Sequence, residues 1–296
     1  MTAGLDPARG HAARLAGLLR AGRFPLPLPD AADADREAHA LADQLDDYVL
    51  PRLATLDAPL LAVVGGSTGA GKSTLVNSLV GRQVSASGVL RPTTRHPVLL
   101  HHPDDTTWFS GDGVLAGLRR LQPSLDPRSG PGADALPAGP ALLLVPEPAV
   151  PAGLALLDAP DVDSVVVSNR TLATQLLAAA DLWLFVTSAA RYADAVPWSL
   201  LAEAARREVA TAVVLDRVPD DAVQEVSRDL ASLMAARGLG ESPLLVVREA
   251  VLLDGLLPAE EVQPVRSWLD ALARNAAARE AVVRSTLAGA LRDGAA

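Results

Sequence analysis

Cysteine is absent from this 296-residue chain, lysine occurs once, and Phe, Trp and Tyr together supply 3% of it. Without thiols there can be no disulfide framework, no thiolate nucleophile and no Cys-based zinc site, a composition that fits a reducing interior. Positive charge falls almost wholly on arginine. Lys and Arg total 26 against 35 Asp and Glu, for a formal net charge of -9 and a pI near 5.0. That balance argues against a broad polyanion-binding face, so no nucleic-acid partner is expected. Long apolar runs are missing too: no charge-free stretch reaches the roughly 18 residues of a membrane-spanning helix. The opening "MTAGLDPARGHAARLAGLLRAG" lacks the apolar core and cleavage site of a signal peptide. The expectation is a cytoplasmic protein, with peripheral membrane association left open and no membrane contact evident in the sequence. What is present is apolar residue, 49% of the chain, enough for a substantial core.

The order of patterns predicts an α/β fold with flanking helices. A short helix over 7–21 is stopped by "FPLPLPD", whose prolines remove donors and favour extended backbone. A second helix is expected over 32–56, where Leu41, Leu45, Val49 and Leu53 recur every fourth residue as one stripe. From Pro59 onward, short apolar runs alternate with helices, the form of a mostly parallel sheet with crossovers. Strands are predicted at 60–65, 97–102, 141–145, 154–158, 182–187, 211–216 and 244–247, and helices at 71–81, 167–180, 197–209, 220–237 and 264–292. The Gly/Pro-rich 125–140 reads as a loop. The strands either side of "PEPAVPAG" (146–153) are expected to form an antiparallel hairpin at one sheet edge. The reading divides the chain into an N-terminal helical segment (1–57), a central α/β domain (58–262) and a C-terminal helix (263–296). That last helix, with Val265, Leu269, Leu272, Ala276, Val283, Leu287 and Leu291 in its stripe, packs either on the sheet or on the 32–56 helix. Trp183, Trp198 and Trp268 read as packing anchors. His101 and His102, with Asp104 and Asp105 nearby, read as the end of an edge strand in preference to a metal site.

The single lysine stands in "GSTGAGKS", Gly66 to Ser73, which satisfies G-x-x-x-x-G-K-S/T between a buried strand and a helix. Glycines let successive amides curl inward, and the helix N-terminus adds positive potential, so main chain holds phosphate. Gly66, Ser67, Thr68, Gly69, Ala70, Gly71, Lys72, Ser73 and Thr74 are therefore the candidate phosphate-binding residues. Lys72 reaches the β and γ phosphates as a compact charge; a forked guanidinium does not fit the same cradle. Ser73 is the expected Mg2+ ligand. A sequence that uses arginine for every other cation keeps lysine where the two are not interchangeable.

The loop alone leaves kinases, ABC-type ATPases and GTPases open, but no LSGGQ-like signature and no arginine-rich lid is present. "GKSTLVNSLVG" resembles the same segment of translation-factor-related GTPases, including the dynamin group, and further resemblances follow in order over 58–250. "RPTTRHPVLL" (91–100) is similar to the first switch of dynamin-like GTPases, which makes Thr94 the switch threonine and Mg2+ ligand, with Thr93 as fallback. "LALLDAPDVDSV" (154–165) resembles the second switch, implying that Asp158 holds Mg2+ through a water. Asp161 stands where the family has glycine, and its carboxylate would repel phosphate unless it turns away or meets a cation. Asp161 and Asp163 also read as turn and helix-capping residues. "AVVLDRVPDD" (212–221) occupies the place of the guanine-reading N/T-K-x-D motif without its final aspartate; Asp216 or Asp220 would accept from guanine and Arg217 would stack on it. "VVREAV" (246–251) lies where the last base-contacting loop is expected.

The resemblance implies a Ras-like domain flanked by helices, with GTP/GDP and Mg2+ as ligands and a nucleotide-dependent homodimer as a partner state. There is no room for a full stalk and no membrane-inserting paddle, so the reading is a minimal GTPase or a fragment of a longer protein. The glutamine and serine that dynamin-like enzymes place in the loop are Thr68 and Gly69 here. Catalytic duties fall on Lys72 and Thr94, with Thr68, Asp161, Arg95 or an arginine from a second subunit, Arg191 being the candidate, as substitutes. The implied function is GTP hydrolysis in a dynamin-like switch. Two alternatives stay open: a nucleotide-binding assembly module with little hydrolysis, and an ATPase.

Overall fold

The computed structural model describes residues 5–22, 30–56, 58–85, 96–111, 114–115, 117–122, 141–161, 167–206 and 208–293. The chain begins with α1 (Leu5–Ala21), α2 (Ala31–Gln44), a π-helical turn (Leu45–Val49) and α3 (Leu50–Ala54). It continues through β1 (Leu60–Gly66), α4 (Lys72–Val80), β2 (Val98–His101), α5 (Thr106–Ser110), β3 (Arg119–Leu121), β4 (Ala141–Pro146) and β5 (Leu154–Asp158). Then come α6 (Val167–Ala178), β6 (Leu182–Ser188), α7 (Ala195–Arg206), β7 (Ala210–Val218), α8 (Val223–Ala235), β8 (Leu244–Arg248), α9 (Ala259–Arg274) and α10 (Ala276–Asp293). Among the described residues no helix is long and apolar enough to cross a membrane.

The strands form one sheet in the order β3-β4-β2-β5-β1-β6-β7-β8. Every neighbouring pair is parallel except β2 with β5. The hairpin expected at 146–153 does not form, because β2 lies between β4 and β5. A linker of this length can step across two strand spacings of about 4.8 Å, and the Glu147 amide donates to the His101 carbonyl at 2.8 Å as the chain crosses the end of β2. The antiparallel contact is therefore inside the sheet and not at its edge. His101 and His102 likewise end an interior strand: buried His101 stacks on Phe109 with centroids 5.5 Å apart, and His102 Nδ1 accepts from the Asp104 amide at 3.2 Å. The short edge strand β3 gave no usable pattern in three residues.

β1 is buried along its whole length, as a central strand covered on both faces must be. Leu60, Ala62 and Val64 join Leu75, Val76 and Leu79 of α4 and Val262, Val265 and Leu269 of α9. Leu61 and Val63 point the other way, onto Leu172, Ala173, Leu176 and Leu177 of α6. Trp183 is buried on that second face and donates from Nε1 to the Leu177 carbonyl at 2.8 Å. Trp198 of α7 packs with Phe185, Val213, Leu230 and Met234, and Trp268 flanks the first cluster.

The C-terminal helix expected over 264–292 is two helices. Asn275 is extended at φ -101 and ψ 94, and its Oδ1 accepts from the Ala278 amide at 3.0 Å, an N-cap that starts α10 afresh. The two helices pack in different places. Val262, Val265 and Leu269 of α9 lie on the sheet, while Leu287 and Ala290 of α10 meet Ala12 and Ala16 of α1 and Leu45, Tyr48, Val49 and Leu53. Ala276 and Leu291 of the expected stripe are exposed. The 32–56 helix is also interrupted: the Leu50 amide bonds the Leu45 carbonyl in a π-type turn, directly before Pro51, which has no N–H to continue the ladder.

A buried ion pair ties these helices to the sheet. Arg52 of α3 meets Asp181, which precedes β6, with side chains 4% and 0% exposed. Arg52 also donates to the carbonyls of Ala58 (3.2 Å) and Pro59 (2.8 Å), and Asp181 Oδ2 accepts the Leu61 amide at 2.7 Å. From α10, Thr286 Oγ1 donates to the Asp181 carbonyl at 3.0 Å. Removing one partner strands the other charge, so Arg52→Ala should lower stability by about 3 kcal/mol. The double variant Arg52→Met/Asp181→Leu should recover most of that loss, as read by urea unfolding.

Candidate phosphate-binding site

Register aligns the strand ends. Val64 stands opposite Asp158, Gly66 opposite Val186, and Ser188 opposite Asp216, so the loop after β1 and the ends of β5, β6 and β7 share one edge. In an open parallel sheet, that carboxyl edge is where ligands bind.

At the start of the loop, Gly66 has φ 145, and a Cβ there would lie 2.1 Å from the Val186 carbonyl oxygen. Only glycine lets β1 leave the sheet this close to β6. Ala70 is buried and its amide turns back to the Ser67 carbonyl at 3.2 Å. Gly69 is left-handed at φ 75, and Gly71, at φ 99, precedes α4. Ser67 is fully buried with no hydrogen-bond partner for its Oγ. Thr74 lies in the first turn of α4, where its carbonyl accepts from Ser78 at 2.6 Å.

Lys72, 5% exposed, returns its ammonium over the loop. Nζ donates to the carbonyls of Gly66 (2.9 Å) and Ser67 (2.8 Å) and to Asp161 Oδ1 (2.6 Å). Asp161 thus meets a cation, the condition its sequence position required, and its Oδ2 accepts from Thr68 Oγ1 at 2.9 Å. Within this chain Arg191 Nη1 donates to the Thr68 carbonyl at 2.7 Å, and Nε donates to Asp194 at 2.8 Å. Thr93, Thr94, Arg95 and Asp163 lie outside the described residues.

Ser73 and Asp158 come together as expected, with Ser73 Oγ donating to Asp158 Oδ2 at 2.6 Å. Asp158 is 1% exposed and its Oδ1 has no partner. Burial pushes its carboxyl above the ordinary aspartate range, opposed by the bonds from Ser73 and Ser85 and by the charge of Lys72. A buried carboxylate oxygen with nothing to bind, beside a serine hydroxyl, fits a Mg2+ site. Among the described residues no group of three or more His, Asp or Glu converges, so phosphate and water would supply the remaining ligands, as Mg2+ prefers.

Two residues of this shell escaped the sequence reading. Ser85 Oγ donates to Asp158 Oδ2 at 2.5 Å. Its segment is clamped by Asn77, whose Oδ1 accepts the amides of Val84 and Ser85, each at 2.9 Å, and whose Nδ2 donates to the Ser85 carbonyl at 2.8 Å. The available signal was Asn77 itself, a poor helix former one turn after Ser73.

On the base side the structure separates the three candidates. A bulge between Leu215 and Val218 puts Arg217 in a left-handed conformation at φ 55. Asp216 is left buried beneath the loop, its Oδ2 so close that a Cβ on Gly71 would lie 2.1 Å away. The half-exposed Arg217 sits beside it, Nε 3.6 Å from Asp216 Oδ2. Asp220 instead pairs with Arg248 at 3.6 Å, and Arg248 also grips Glu261 at 2.7 Å. The expected contact loop at 246–251 thus contributes Arg248 to a surface ion network.

Burial pushes the Asp216 carboxyl up to about 6, partly offset by Arg217. An aspartate that titrates near 4 in the unfolded chain therefore favours folding when protonated. That contribution is present in full below about pH 4 and is lost as pH rises through 6. Asp216→Asn should match the parent near pH 4 and exceed it by on the order of 3 kcal/mol above pH 7, as measured by thermal unfolding across pH.

The sequence model described as "Dynamin family" matches residues 61–218, which runs from β1 to the end of β7 and includes the loop at 66–74, Asp158, Asp161, Asp216 and Arg217. No curated protein matches the chain. Among solved structures, the fold is similar to two chains of an oligomerised bacterial dynamin pair, described as providing a mechanism for long-range sensing and tethering of membranes. One is 12% identical with a TM-score of 0.52, over 98% of this chain and 46% of that one. The other is 13% identical with a TM-score of 0.52, over 96% and 55%. Identities this low show a shared fold alone, and the chain spans about half the length of those two. Because the family model covers more than half of its residues, the chain belongs to the dynamin family.

Proposed function

We propose that the chain binds GTP and hydrolyses it to GDP and phosphate with Mg2+, as a dynamin-like nucleotide switch. One observation carries this reading: Lys72, Ser73 and the partnerless Oδ1 of Asp158 converge where the phosphate loop meets the sheet edge. The amides of residues 67–73 cradle the phosphates and Lys72 neutralises their outer oxygens. Ser73, Asp158 and Thr94 would hold Mg2+, which would supply charge compensation for the phosphates. Ser85 and Asn77 fix the Asp158 carboxylate. Asp216 accepts from the guanine ring and Arg217 covers the base, a division favoured by Asp220 being drawn to Arg248. Thr68, which stands where the family has its glutamine, is the residue assigned to orient the attacking water.

A second reading, a nucleotide-binding assembly module with little turnover, is favoured by one contact: Asp161 takes the Lys72 proton that would serve phosphate. Pro219, in place of the base-reading aspartate, keeps an ATPase as the remaining alternative. A nucleotide-dependent homodimer accords with the oligomerised dynamins of the same fold. So does a cytoplasmic protein working at a membrane surface.

Titration with mant-GTP and mant-ATP in Mg2+ should show preference for guanine, and Lys72→Ala should weaken binding on the order of 100-fold. Asp158→Asn should remove the Mg2+ dependence of binding. Phosphate release whose specific rate rises with protein concentration is expected for paired domains. Equal affinity for the two purines would favour the ATPase, and binding without release would favour the assembly module.

A further inference from the structure

Resting on that reading of the site, we propose that Asp161 is a built-in competitor for the terminal phosphate. Its carboxylate occupies the ground a third phosphoryl group needs, so the chain discriminates against triphosphate relative to diphosphate until Asp161 is displaced.

The argument starts from the donors of Lys72. An ammonium has three protons, and here they go to the Gly66 carbonyl, the Ser67 carbonyl and Asp161 Oδ1. The first two contacts lie within the loop and set the direction of the side chain. The third leaves the loop and goes to a carboxylate from the segment after β5. The other oxygen of that carboxylate takes the Thr68 hydroxyl at 2.9 Å. One anionic group with two oxygens therefore spans Lys72 and the outward bend of the loop, as a phosphoryl group with two free oxygens would.

Burial strengthens the contact. The side chains of Lys72 and Asp161 are 5% and 13% exposed, so water screens the pair little. Thr68 is also held from behind, since Arg191 donates to its carbonyl at 2.7 Å. The competitor docks on a fixed surface.

Chain length of the polyphosphate decides how far it is opposed. Phosphates next to the α4 N-terminus are held by the amides nearest Gly71, Lys72 and Ser73 and leave the Thr68 hydroxyl to Asp161. A phosphate chain extended past Lys72 toward Thr68 meets the carboxylate directly. Asp161 already takes the third N–H of that ammonium and the Thr68 hydroxyl, so it has to leave before a phosphate can take both. If Asp161 holds Lys72 about nine-tenths of the time, the apparent affinity for the longer ligand falls about tenfold.

The test compares mant-GDP with the non-hydrolysable mant-GMPPNP on the full chain in Mg2+, for the parent, Asp161→Asn and Asp161→Gly. Asparagine keeps the volume and loses the charge; glycine removes the side chain. Both variants should tighten mant-GMPPNP about tenfold while mant-GDP changes less than about threefold. Without nucleotide, acylation of Lys72, the sole lysine, should run several-fold faster in Asp161→Asn, read by peptide mass spectrometry. An unchanged ratio of the two affinities in both variants, with both ligands bound, would overturn this inference and leave nucleotide binding standing. Failure of parent and variants alike to bind either ligand would overturn the nucleotide reading, and this one with it.

Discussion

The ammonium of Lys72 is the point on which the site is organised. Its side chain folds back over the loop and gathers two carbonyls and one carboxylate around a charge withdrawn from water. Those bonds fix the loop's curvature as much as they prepare a place for phosphate. Gly66 supports the same geometry by letting β1 depart within contact of the Val186 backbone. Gly71 supports it by leaving space for the Asp216 carboxylate below. The loop therefore connects three strand ends through short, directional contacts, and moving any one of them alters the others.

Opposite this edge, the Arg52–Asp181 pair does comparable work for the flanking helices. Asp181 receives the amide of Leu61 at the start of β1, the guanidinium from α3 and, at its carbonyl, a hydroxyl from α10. A buried ion pair loses much of its Coulombic gain to desolvation, so net stability is not its main mark. Here the geometry fixes which helix faces meet the sheet. α6, which follows the Asp158–Asp161 segment, also touches the π-helical turn, as Gln175 Nε2 donates to Asp47 at 2.9 Å. The helices and the phosphate edge are thus joined through packed, hydrogen-bonded elements.

The chain belongs to the dynamin family, and the segment that resembles the family's second switch carries Asp161. The Asp161 carboxylate is supplied with a cation by Lys72 and a hydroxyl by Thr68. The charge that looked incompatible with phosphate in the sequence is neutralised in the fold.

Local signals determined a good deal unaided. Apolar runs placed seven strands, because strands packed against helices carry short apolar runs that loops lack. The loop motif placed Gly66 to Thr74 between strand and helix, because only glycines and a helix N-terminus can form that cradle. Signals carried by distant residues were not legible. The position of β2 between β4 and β5, Ser85 on Asp158, Arg191 on its own loop and the division of Asp216 from Asp220 all depend on register and on a bulge. The break at Asn275 was local yet missed, since periodicity runs through an N-cap without a change of phase. Sequence fixes which groups can bear charge or bend backbone, and tertiary structure decides which of them meet, because contact between strand ends is set by pairing partners far away in the chain.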